Sequence, residues 1–457
     1  MLRNDMKPIH ISLVTALLGM LVVAAAPEGK PKGQGAGTGG QVEPAIVPPY
    51  LFNVWLCRPG AESVTASVLA WEAMEAFISY GDGLKTAAVK LEPGVPQSLV
   101  MDGLKPDASY SYQLTYRRAD GEASQDVIRT FHTQRAASSS FSFVMQADSH
   151  LDMNTDIRVY QQTLANMLAD KPDFMIDLGD TTMVDKFGSF YTRSESQYLG
   201  QRYYMGRIAH SVPILMVLGN HDGERGERIE MANWSLGMRH KFFPNPTNGN
   251  DKHSYYAFEW GNALFVALDP FWATTKRSGQ DNWSATLGET QYRWLTKTLT
   301  NSRSPFKFVF LHHLVGGLGK DVRGGVTPAP YMEWGGKNAD GSDGFKEHRP
   351  GWEMPIHQLL VKSGVSAVFH GHDHLFVKEE LDGIIYQEVP QPGHPSGGTR
   401  SAEEYGYTGT ILGSSGHLRV TVSATESKVD YVRSIVPGVT RSGMANATVE
   451  HSYTIHP

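Results

Sequence analysis

Cysteine is almost absent from this chain, because Cys57 is the only one among 457 residues. A single cysteine excludes an intramolecular disulfide and any metal cluster held by several thiolates. Any metal site in this chain must therefore be built from His, Asp, Asn and Glu side chains. Cys57 itself ends a strand-like stretch, and we predict that it is a small buried residue.

The chain also has no large excess of positively or negatively charged residues. The chain has 41 Lys and Arg residues against 47 Asp and Glu residues, so its formal net charge is -6. A mildly acidic chain without a long basic run offers no broad electrostatic attraction for nucleic acids or anionic membranes. We therefore expect no nucleic-acid partner, and the composition leaves the oligomeric state open.

The sequence lacks an apolar run of the length that crosses a membrane, which is about 20 residues. The apolar stretch Ile11–Val23 is shorter, follows Arg3 and Lys7, and is followed by Ala24–Ala26. This order is typical of a cleaved secretory signal. We predict a signal peptide at residues 1–26 and a periplasmic or extracellular protein, with an uncleaved anchor as the alternative.

The rest of the chain is too long for one ordinary core, which predicts two folded domains. Residues 27–47 are rich in Gly, and this composition predicts a flexible linker. Residues 48–135 contain short strands separated by Asp-Gly turns, which predicts an all-β sandwich. The run of small residues Ala136–Ser140 predicts the boundary between the two domains. After them, strands alternate with helices over residues 139–435, which predicts a layered α/β domain, and residues 436–457 form a C-terminal segment.

The second domain contains five apolar strands that each lead into polar residues. Ligands bind at the carboxyl ends of strands in open α/β sheets, so strand ends that are far apart in sequence can meet at one site. Helices are predicted between them, for example at Ile157–Ala169. The five predicted strands are Phe141–Met145, Phe174–Ile176, Ile214–Val217, Phe308–Leu311 and Val365–Phe369.

The residues after these strands have metal-binding chemistry. Imidazole suits transition metals, and carboxylate oxygen suits harder divalent ions. Two metal ions about 3.5–4 Å apart can hold both oxygens of a phosphoryl transfer and lower the pKa of a bound water. In chain order the motifs are Asp148-Ser149-His150, Gly179-Asp180, Gly219-Asn220-His221-Asp222, His312-His313 and Gly371-His372-Asp373-His374.

The five motifs, in this order, resemble the calcineurin-like metallophosphoesterase superfamily over residues 139–435. The resemblance implies a four-layer α/β/β/α domain and an enzyme that hydrolyses phosphate monoesters or diesters with metal-activated hydroxide. It also implies two metal ions, which would be Mn, Fe or Zn, and a small phosphate ester as the substrate. The natural substrate stays open, because phosphatases and phosphodiesterases share these motifs.

The resemblance assigns a role to each motif residue. His221 would donate a proton to the leaving alcohol or stabilise a phosphate oxygen as charge builds. Asp222 would orient His221. The implied ligands are Asp148, His150 and His374 for one metal, Asn220, His312 and His372 for the other, and Asp180 as the bridge between them.

The chain departs from the family pattern at two positions. Leu314 follows His313 where the family often has Pro, so the choice between His312 and His313 as the ligand stays open. Met183 stands where purple acid phosphatases have Tyr, three residues after the aspartate of Gly-Asp. No tyrosinate ligand is available at that position, and the purple iron site is therefore not supported.

The N-terminal domain resembles the fibronectin type III domain that precedes the catalytic domain in purple acid phosphatases. The resemblance rests on Leu104–Tyr112, which is similar to the tyrosine corner of β-sandwiches. In that corner a Tyr hydroxyl bonds to the backbone a few residues upstream.

Other residues have two interpretations. Arg349, in the long Gly-rich loop Gly316–Gly351, would either clamp a phosphate or form a structural salt bridge. His370 would either line the site or be structural. The competing function for the whole chain is a non-catalytic protein that binds cell surfaces or polysaccharide and has a vestigial metal site. The complete ligand set favours the enzyme.

Overall fold

The structure is a computed structural model that describes residues 47, 50–119, 121–247, 254–276, 282–317, 324–440 and 442–457. The predicted signal peptide and all but the last residue of the predicted linker lie outside the described residues. Within the described ranges, no helix is both long and apolar enough to cross a membrane.

The N-terminal domain is all-β, as predicted. Its strands are β1 (Phe52–Cys57), β2 (Val64–Ala70), β3 (Met74–Tyr80), β4 (Leu84–Lys85), β5 (Val89–Leu91), β6 (Gln97–Met101), β7 (Ser109–Arg118), β8 (Ser124–Gln125) and β9 (Arg129–His132). One sheet has the order β1-β2-β6, and the other has the order β4-β3-β7-β8, with β5 on β3 and β9 on β7. Apolar side chains of both sheets share one core.

The tyrosine corner of this domain is formed by Tyr110. Its hydroxyl oxygen accepts a hydrogen bond from the backbone N–H of Lys105, five residues upstream, at 2.8 Å. The interaction matches the pattern predicted from Leu104–Tyr112, and it ties the start of β7 to the loop before it.

The second domain contains two further sheets. Its strands are β10 (Phe141–Gln146), β11 (Phe174–Asp177), β12 (Ile214–Met216), β13 (Tyr256–Trp260), β14 (Ala263–Ala267), β15 (Phe306–Phe310), β16 (Ala367–His370), β17 (Phe376–Leu381), β18 (Ile384–Glu388), β19 (Thr410–Leu412), β20 (Gly416–Val422), β21 (Ser427–Arg433) and β22 (Val449–Ile455). The sheet orders are β12-β11-β10-β20-β21-β22 and β13-β14-β15-β16-β18-β17-β19.

Helices cover the outer faces of both sheets. They are α1 (Ile157–Ala169), α2 (Glu195–Ala209), α3 (Ile229–Phe242), α4 (Gly288–Asn301), α5 (Met332–Gly335), α6 (Phe345–His348), α7 (Ile356–Lys362) and α8 (Arg400–Tyr405). Short 3₁₀ turns lie at Val184–Ser194, Gly226–Arg228 and Asn282–Ser284.

Alternation along the strands produces the layers. Phe143 of β10 faces the second sheet, where its ring centroid lies 5.1 Å from that of Phe265. The next residue, Val144, faces the opposite side and packs in the cluster that contains Leu164 of α1. Successive side chains of a strand point to opposite faces, so each sheet buries one face on the other sheet and one on helices. This is the four-layer α/β/β/α order.

Helix α1 has the predicted bounds. Asp156 precedes it, and its side chain accepts a hydrogen bond from the backbone N–H of Arg158 at 2.9 Å, which caps the first turn. Val159, Leu164 and Met167 are buried against the sheet. The cap and the apolar face of this helix both depend on residues close together in the sequence.

Helix α2 carries no such signal, and the sequence patterns did not predict it. The helix is covered by α1, α3 and strand β1 of the N-terminal domain. Its buried residues therefore include polar ones such as Gln197, Gln201 and Arg202. A helix that is enclosed on several sides does not need one apolar stripe.

The N-terminal domain packs directly on the second domain through β1 and β2. Trp55 and Leu69 belong to the core that contains α2, whereas their neighbours Val54 and Val68 belong to the core of the N-terminal sandwich. Cys57 is fully buried, as predicted.

The C-terminal segment is part of the second domain. Strand β22 pairs with β21 antiparallel, from Ser427 opposite Ile455 to Val432 opposite Val449. The sheet therefore extends beyond the boundary that we predicted at residue 435. The pairing joins segments separated by a loop, so no local pattern marks β22 as a member of this sheet.

Candidate active site

The five motifs meet at one edge of the two sheets, as the strand order predicts. Each motif begins within a few residues of a strand's carboxyl end: β10, β11 and β12 in one sheet and β15 and β16 in the other. The strands β10, β11 and β12 are parallel, and so are β15 and β16. Parallel strands place their carboxyl ends on the same side.

A first group of possible metal ligands consists of Asp148, His150 and His374, whose ligand atoms lie within 4.8 Å of one another. The Nε2 atom of His374 lies 3.4 Å from Oδ1 of Asp148 and 3.3 Å from Nε2 of His150. On the far side of the His150 ring, Nδ1 lies 3.0 Å from Oδ1 of Asp152. A carboxylate behind the ring fixes its orientation and leaves Nε2 for a metal ion.

A second group consists of Asp180, His312 and His372, again with ligand atoms within 4.8 Å of one another. The Nε2 atom of His312 lies 3.1 Å from Oδ2 of Asp180 and 3.3 Å from Nδ1 of His372. Its Nδ1 donates to the backbone oxygen of Leu178 at 2.8 Å. Burial lowers the pKa of His312, but the charges of Asp180 and Asp148 raise it by more than burial lowers it. The net pKa is therefore raised, to about 10.

The two groups are neighbours. The Nε2 atom of His312, in the second group, lies 3.8 Å from Oδ1 of Asp148, in the first. Asp180 sits between His312 and the ring of His221, whose Nε2 is 4.0 Å from Oδ2 of Asp180. Burial raises the pKa of Asp180, but His312 and His221 lower it more, so the net pKa lies well below the ordinary value.

Of the two adjacent histidines, the structure brings His312 into the ligand group. The Nδ1 atom of His313 donates to the backbone oxygen of Leu314 at 3.1 Å, and its ring packs edge-on against Phe271. Burial, followed by the charge of His312, lowers the pKa of His313 to about 3.

Some buried oxygens at the site have no hydrogen-bond partner among the described residues. They are Oδ1 of Asp148 and Oδ1 of Asn220. A buried acceptor without a partner costs free energy, unless a cation or a water meets it. Two such oxygens beside two imidazole pairs form a donor set that fits two metal ions.

Four residues of the two groups of possible metal ligands adopt left-handed backbone conformations. The φ angles are 57° at Asp148, 53° at Asp180, 89° at His372 and 62° at His374. Such conformations cost about 1–3 kcal/mol each and persist where the surroundings enforce them. Hydrogen bonds across the site do this: the N–H of His372 donates to Oδ2 of Asp148 at 2.9 Å, and the N–H of His221 donates to Oδ1 of Asp180 at 2.8 Å.

Glycine is required where the loops touch. A Cβ atom on Gly219 would lie 2.0 Å from the backbone nitrogen of Asp180, and one on Gly371 would lie 2.6 Å from the Cβ of Ala147. These contacts are shorter than any real carbon contact, so larger residues at 219 and 371 would push the motifs apart.

Asp222 makes contacts that differ from the predicted one, in which it would orient His221. Its carboxylate accepts the backbone N–H groups of Gly219, Asp180, Thr181 and Thr182 at 2.8 to 3.0 Å. Burial and the nearby charge of Asp180 raise its pKa to about 6. These bonds join the loop after β11 to the loop after β12, and they are not directed at the ring of His221.

The carboxylate that contacts the ring of His221 belongs to Asp185, with Nδ1 and Oδ1 2.8 Å apart. Our sequence reasoning missed this residue, because Asp185 lies in the 3₁₀ segment Val184–Ser194 that follows Gly179-Asp180 and has no motif of its own. Burial lowers the pKa of His221, but Asp180 and Asp185 raise it more, so the net pKa is raised.

His370 and Arg349 have structural contacts. His370 is fully buried, and its Nδ1 lies 2.5 Å from Oε2 of Glu388. Arg349 donates from Nε to Oε2 of Glu333 at 2.5 Å and from Nη2 to the backbone oxygen of Trp283 at 2.7 Å. These contacts agree with the salt-bridge interpretation of Arg349.

Comparisons with known proteins show the family of this chain. The sequence profile of the family described as Calcineurin-like phosphoesterase matches residues 141–376, just over half of the chain. The chain is 24% identical to Purple acid phosphatase 13 of Arabidopsis thaliana over 217 residues, 42% of this chain and 38% of that protein. It is 22% identical to Purple acid phosphatase 15 of the same plant over 327 residues, 66% of this chain and 54% of that protein. It thus spans only part of these relatives.

Solved structures share the fold. Purple acid phosphatase PPD1 from yellow lupin (Lupinus luteus) matches with a TM-score of 0.59 at 17% identity, over 88% of this chain and 74% of that one. A structure of PhoD matches with a TM-score of 0.62 at 14% identity, over 88% of this chain and 89% of that one. These matches confirm the predicted fold class, an all-β domain followed by a layered α/β domain.

The motifs, their meeting point and the profile match therefore agree. The chain belongs to the calcineurin-like phosphoesterase family.

Proposed function

We propose that this chain hydrolyses small phosphate esters at a centre of two metal ions. Its product would be inorganic phosphate from a monoester, or a phosphate monoester from a diester. The proposed ligands are Asp148, His150 and His374 for one ion, Asn220, His312 and His372 for the other, and Asp180 as the bridge.

The observation that carries this proposal is the pair of adjoining ligand groups. In each group two imidazole nitrogens face each other at 3.3 Å, beside a buried carboxylate. The 3.8 Å approach of His312 to Asp148 supports two ions as neighbours rather than two separate sites. Metal ions bound there would neutralise charge on the transferred phosphoryl group and lower the pKa of a water molecule.

His221 is the proposed acid. When water attacks phosphorus, the bond from phosphorus to the leaving oxygen breaks and its electron pair stays on that oxygen. The Nε2 atom of His221 gives that oxygen a proton, while Nδ1 stays bonded to Asp185. Because the backbone N–H of His221 is bonded to Asp180, the ring is held against the metal-ligand groups.

The predicted signal peptide supports an exported protein, although it lies outside the described residues. We therefore propose action on phosphate esters in the periplasm or outside the cell. The comparisons give no support to the alternative of a non-catalytic surface-binding protein.

The test is hydrolysis of p-nitrophenyl phosphate and bis(p-nitrophenyl) phosphate by the purified protein. Each assay is run as purified, after chelation, and after addition of manganese, zinc or iron. Activity that chelation removes and a metal restores would support the proposal, and the preferred ester would show whether the enzyme is a phosphatase or a phosphodiesterase.

The matched control for this assay is Asp180→Asn, which keeps the shape of the side chain but removes the charge of the proposed bridge. It should lose both activity and bound metal. Stoichiometric metal binding by a protein inactive on both esters would contradict the proposed reaction.

A further inference from the structure

Strand β18 brings one more polar residue to the edge of the sheet where the motifs meet. The strand pairs in parallel with β16, with His370 opposite Glu388 at their carboxyl ends. Parallel strands end on the same side of a sheet, so the segment after β18 reaches the same edge as the proposed ligand His374. Gln391 stands three residues after the end of β18 and belongs to none of the five motifs.

The loop that carries Gln391 is held by hydrogen bonds to two neighbouring segments. The backbone N–H of Gln391 donates to Oγ of Ser414 at 3.1 Å, and that hydroxyl donates to the backbone oxygen of His374 at 2.5 Å. Two residues further on, the backbone oxygen of Gly393 accepts the N–H of Asp156 at 2.9 Å. The main chain at Gln391 therefore has a fixed position relative to a proposed ligand and to the start of α1, and a side chain on a fixed loop loses less conformational freedom when it binds.

The side-chain amide of Gln391 is fully buried and incompletely paired. Its Nε2 atom lies 3.5 Å from Nε2 of His150 and 3.5 Å from Oγ1 of Thr155. Both distances are long for hydrogen bonds. Its Oε1 atom has no hydrogen-bond partner in the part of the chain that the structure describes. A buried amide oxygen without a partner costs free energy, unless a cation or a water meets it.

The amide lies on the side of the His150 ring that faces the first group of possible metal ligands. Nδ1 of His150 is directed at Asp152, whereas its Nε2 lies 3.3 Å from Nε2 of His374. Neighbouring ligands of one ion, each about 2.1 Å from it, are roughly 3.0–3.4 Å apart. The 3.5 Å between Gln391 and His150 is close to that separation. Because the last torsion of a glutamine is roughly two-fold, a half-turn brings the oxygen to the position of the nitrogen.

We propose that the amide oxygen of Gln391 is a further ligand of the first metal ion, beside Asp148, His150 and His374. This inference rests on the proposed function, and it adds a ligand and a metal preference to it. The ion gives the unpartnered oxygen its partner. An amide oxygen is a hard donor without charge. Four ligands satisfy zinc, whereas manganese prefers a larger, oxygen-rich set. Gln391 therefore shifts the preference of this site from zinc toward manganese.

The test measures the affinity of the metal-stripped full chain for Mn²⁺ and, separately, for Zn²⁺, by titration against a competing chelator. Gln391→Leu keeps an apolar side chain of similar size but removes the oxygen. Its affinity for manganese should fall at least about tenfold in one of the two binding steps. Its affinity for zinc should fall less than about threefold, because four proposed ligands remain at the first ion: Asp148, His150, His374 and the bridging Asp180.

Two further variants and a control sharpen this experiment. Gln391→Glu keeps an oxygen at the same reach, so its affinity for manganese should be at least that of wild type. Gln391→Asn withdraws the amide by one carbon, so it should show the same loss as Gln391→Leu, and it replaces the leucine variant if that fails to fold. Gln162→Leu, at a half-buried glutamine of α1 whose amide donates to Asn166, is the control and should match wild type.

A manganese affinity within about twofold of wild type in Gln391→Leu would overturn this inference. An equal loss of manganese and zinc affinity would also overturn it, because a residue that only supports the ring of His150 affects both ions alike. In either case the proposed function stands if the wild-type chain hydrolyses p-nitrophenyl phosphate with a bound metal. A wild-type chain that binds neither metal would overturn the proposed function, and this inference would fall with it.

Discussion

The Nδ1 atom of His221 lies 2.8 Å from Oδ1 of Asp185, a residue 36 positions earlier in the chain. The bond places the proton of one ring nitrogen on the side of Asp185, which leaves Nε2 directed toward Asp180. A carboxylate in this position fixes the tautomer and the orientation of the imidazole.

Replacing Asp185 should therefore impair turnover but not metal binding. We expect His221→Ala to lower kcat roughly 10²- to 10⁴-fold, as the loss of an acid does. Asp185→Asn should lower it about 10- to 100-fold, because the ring loses its charged partner. Steady-state kinetics and metal analysis of the same preparations test this. The double variant should be no slower than His221→Ala. A parallel loss of metal would mean that Asp185 supports the metal centre instead.

His312→Ala and His313→Ala should separate the two adjacent histidines. His312 faces Asp180 and His372, so its removal should cost one of the two metal ions and most of the activity. His313 is bonded to the Leu314 backbone, so its removal should leave the metal content at wild-type level. Metal analysis of the two purified variants after dialysis decides this. The opposite pattern would assign the ligand to His313.

Tyr407→Phe should weaken metal binding without touching a ligand. The Tyr407 hydroxyl donates to Oδ2 of Asp373 at 2.7 Å, and Asp373 stands between the proposed ligands His372 and His374. Loss of such an outer contact typically costs about 10- to 100-fold in metal affinity. Titration against a competing chelator measures it. Tyr116→Phe, in the N-terminal domain, serves as the control, and an unchanged affinity in Tyr407→Phe would contradict the role.

Arg202→Met should destabilise the contact between the two domains. The Arg202 side chain is fully buried and donates to Asn53, Ser67 and the backbone of Phe242. Burial lowers its pKa to about 10. Its loss leaves buried acceptors without partners, so the free energy of unfolding should fall by about 2–4 kcal/mol. Denaturant titration tests this, with the exposed Arg207→Met on the same helix expected within about 0.5 kcal/mol of wild type.

His210 should make the stability of the fold depend on pH. Burial, followed by the charge of Arg129, lowers its pKa from 6.5 to about 4. The pKa of His210 is lower in the folded state than in the unfolded state. The contribution of neutral His210 to the free energy of unfolding is therefore complete above pH 6.5 and is lost as the pH falls toward 4. His210→Gln should therefore gain stability relative to wild type between pH 7 and pH 5, measured by denaturant titration at both. A constant difference would show that His210 does not titrate in this way.

Local sequence patterns allowed several features of this fold to be predicted. Helix α1 was predicted with its observed bounds, and its cap and its apolar face depend only on residues close together in the sequence. The residues that we propose as ligands could be found in the sequence because each follows a buried strand, and parallel strands bring their carboxyl ends together. The number of sheets and their layers came from the family resemblance rather than from periodicity.

Other features depend on contacts between distant segments. Helix α2 has polar residues buried on several sides because the N-terminal domain covers it, so it lacks the pattern of a surface helix. Asp185 became the partner of His221, and Asp222 a link between two loops, only when the ends of β11 and β12 came together. Strand β22 joined the sheet through pairing with β21.

The sequence by itself therefore determined which residue types stand at the ends of which strands, and with them the chemistry that is available. Only the tertiary structure decided which neighbour each of these side chains contacts. The physical reason is that a strand, a cap or a turn depends on residues a few positions apart. The orientation of an imidazole or a carboxylate depends on hydrogen bonds to segments that are tens or hundreds of residues away.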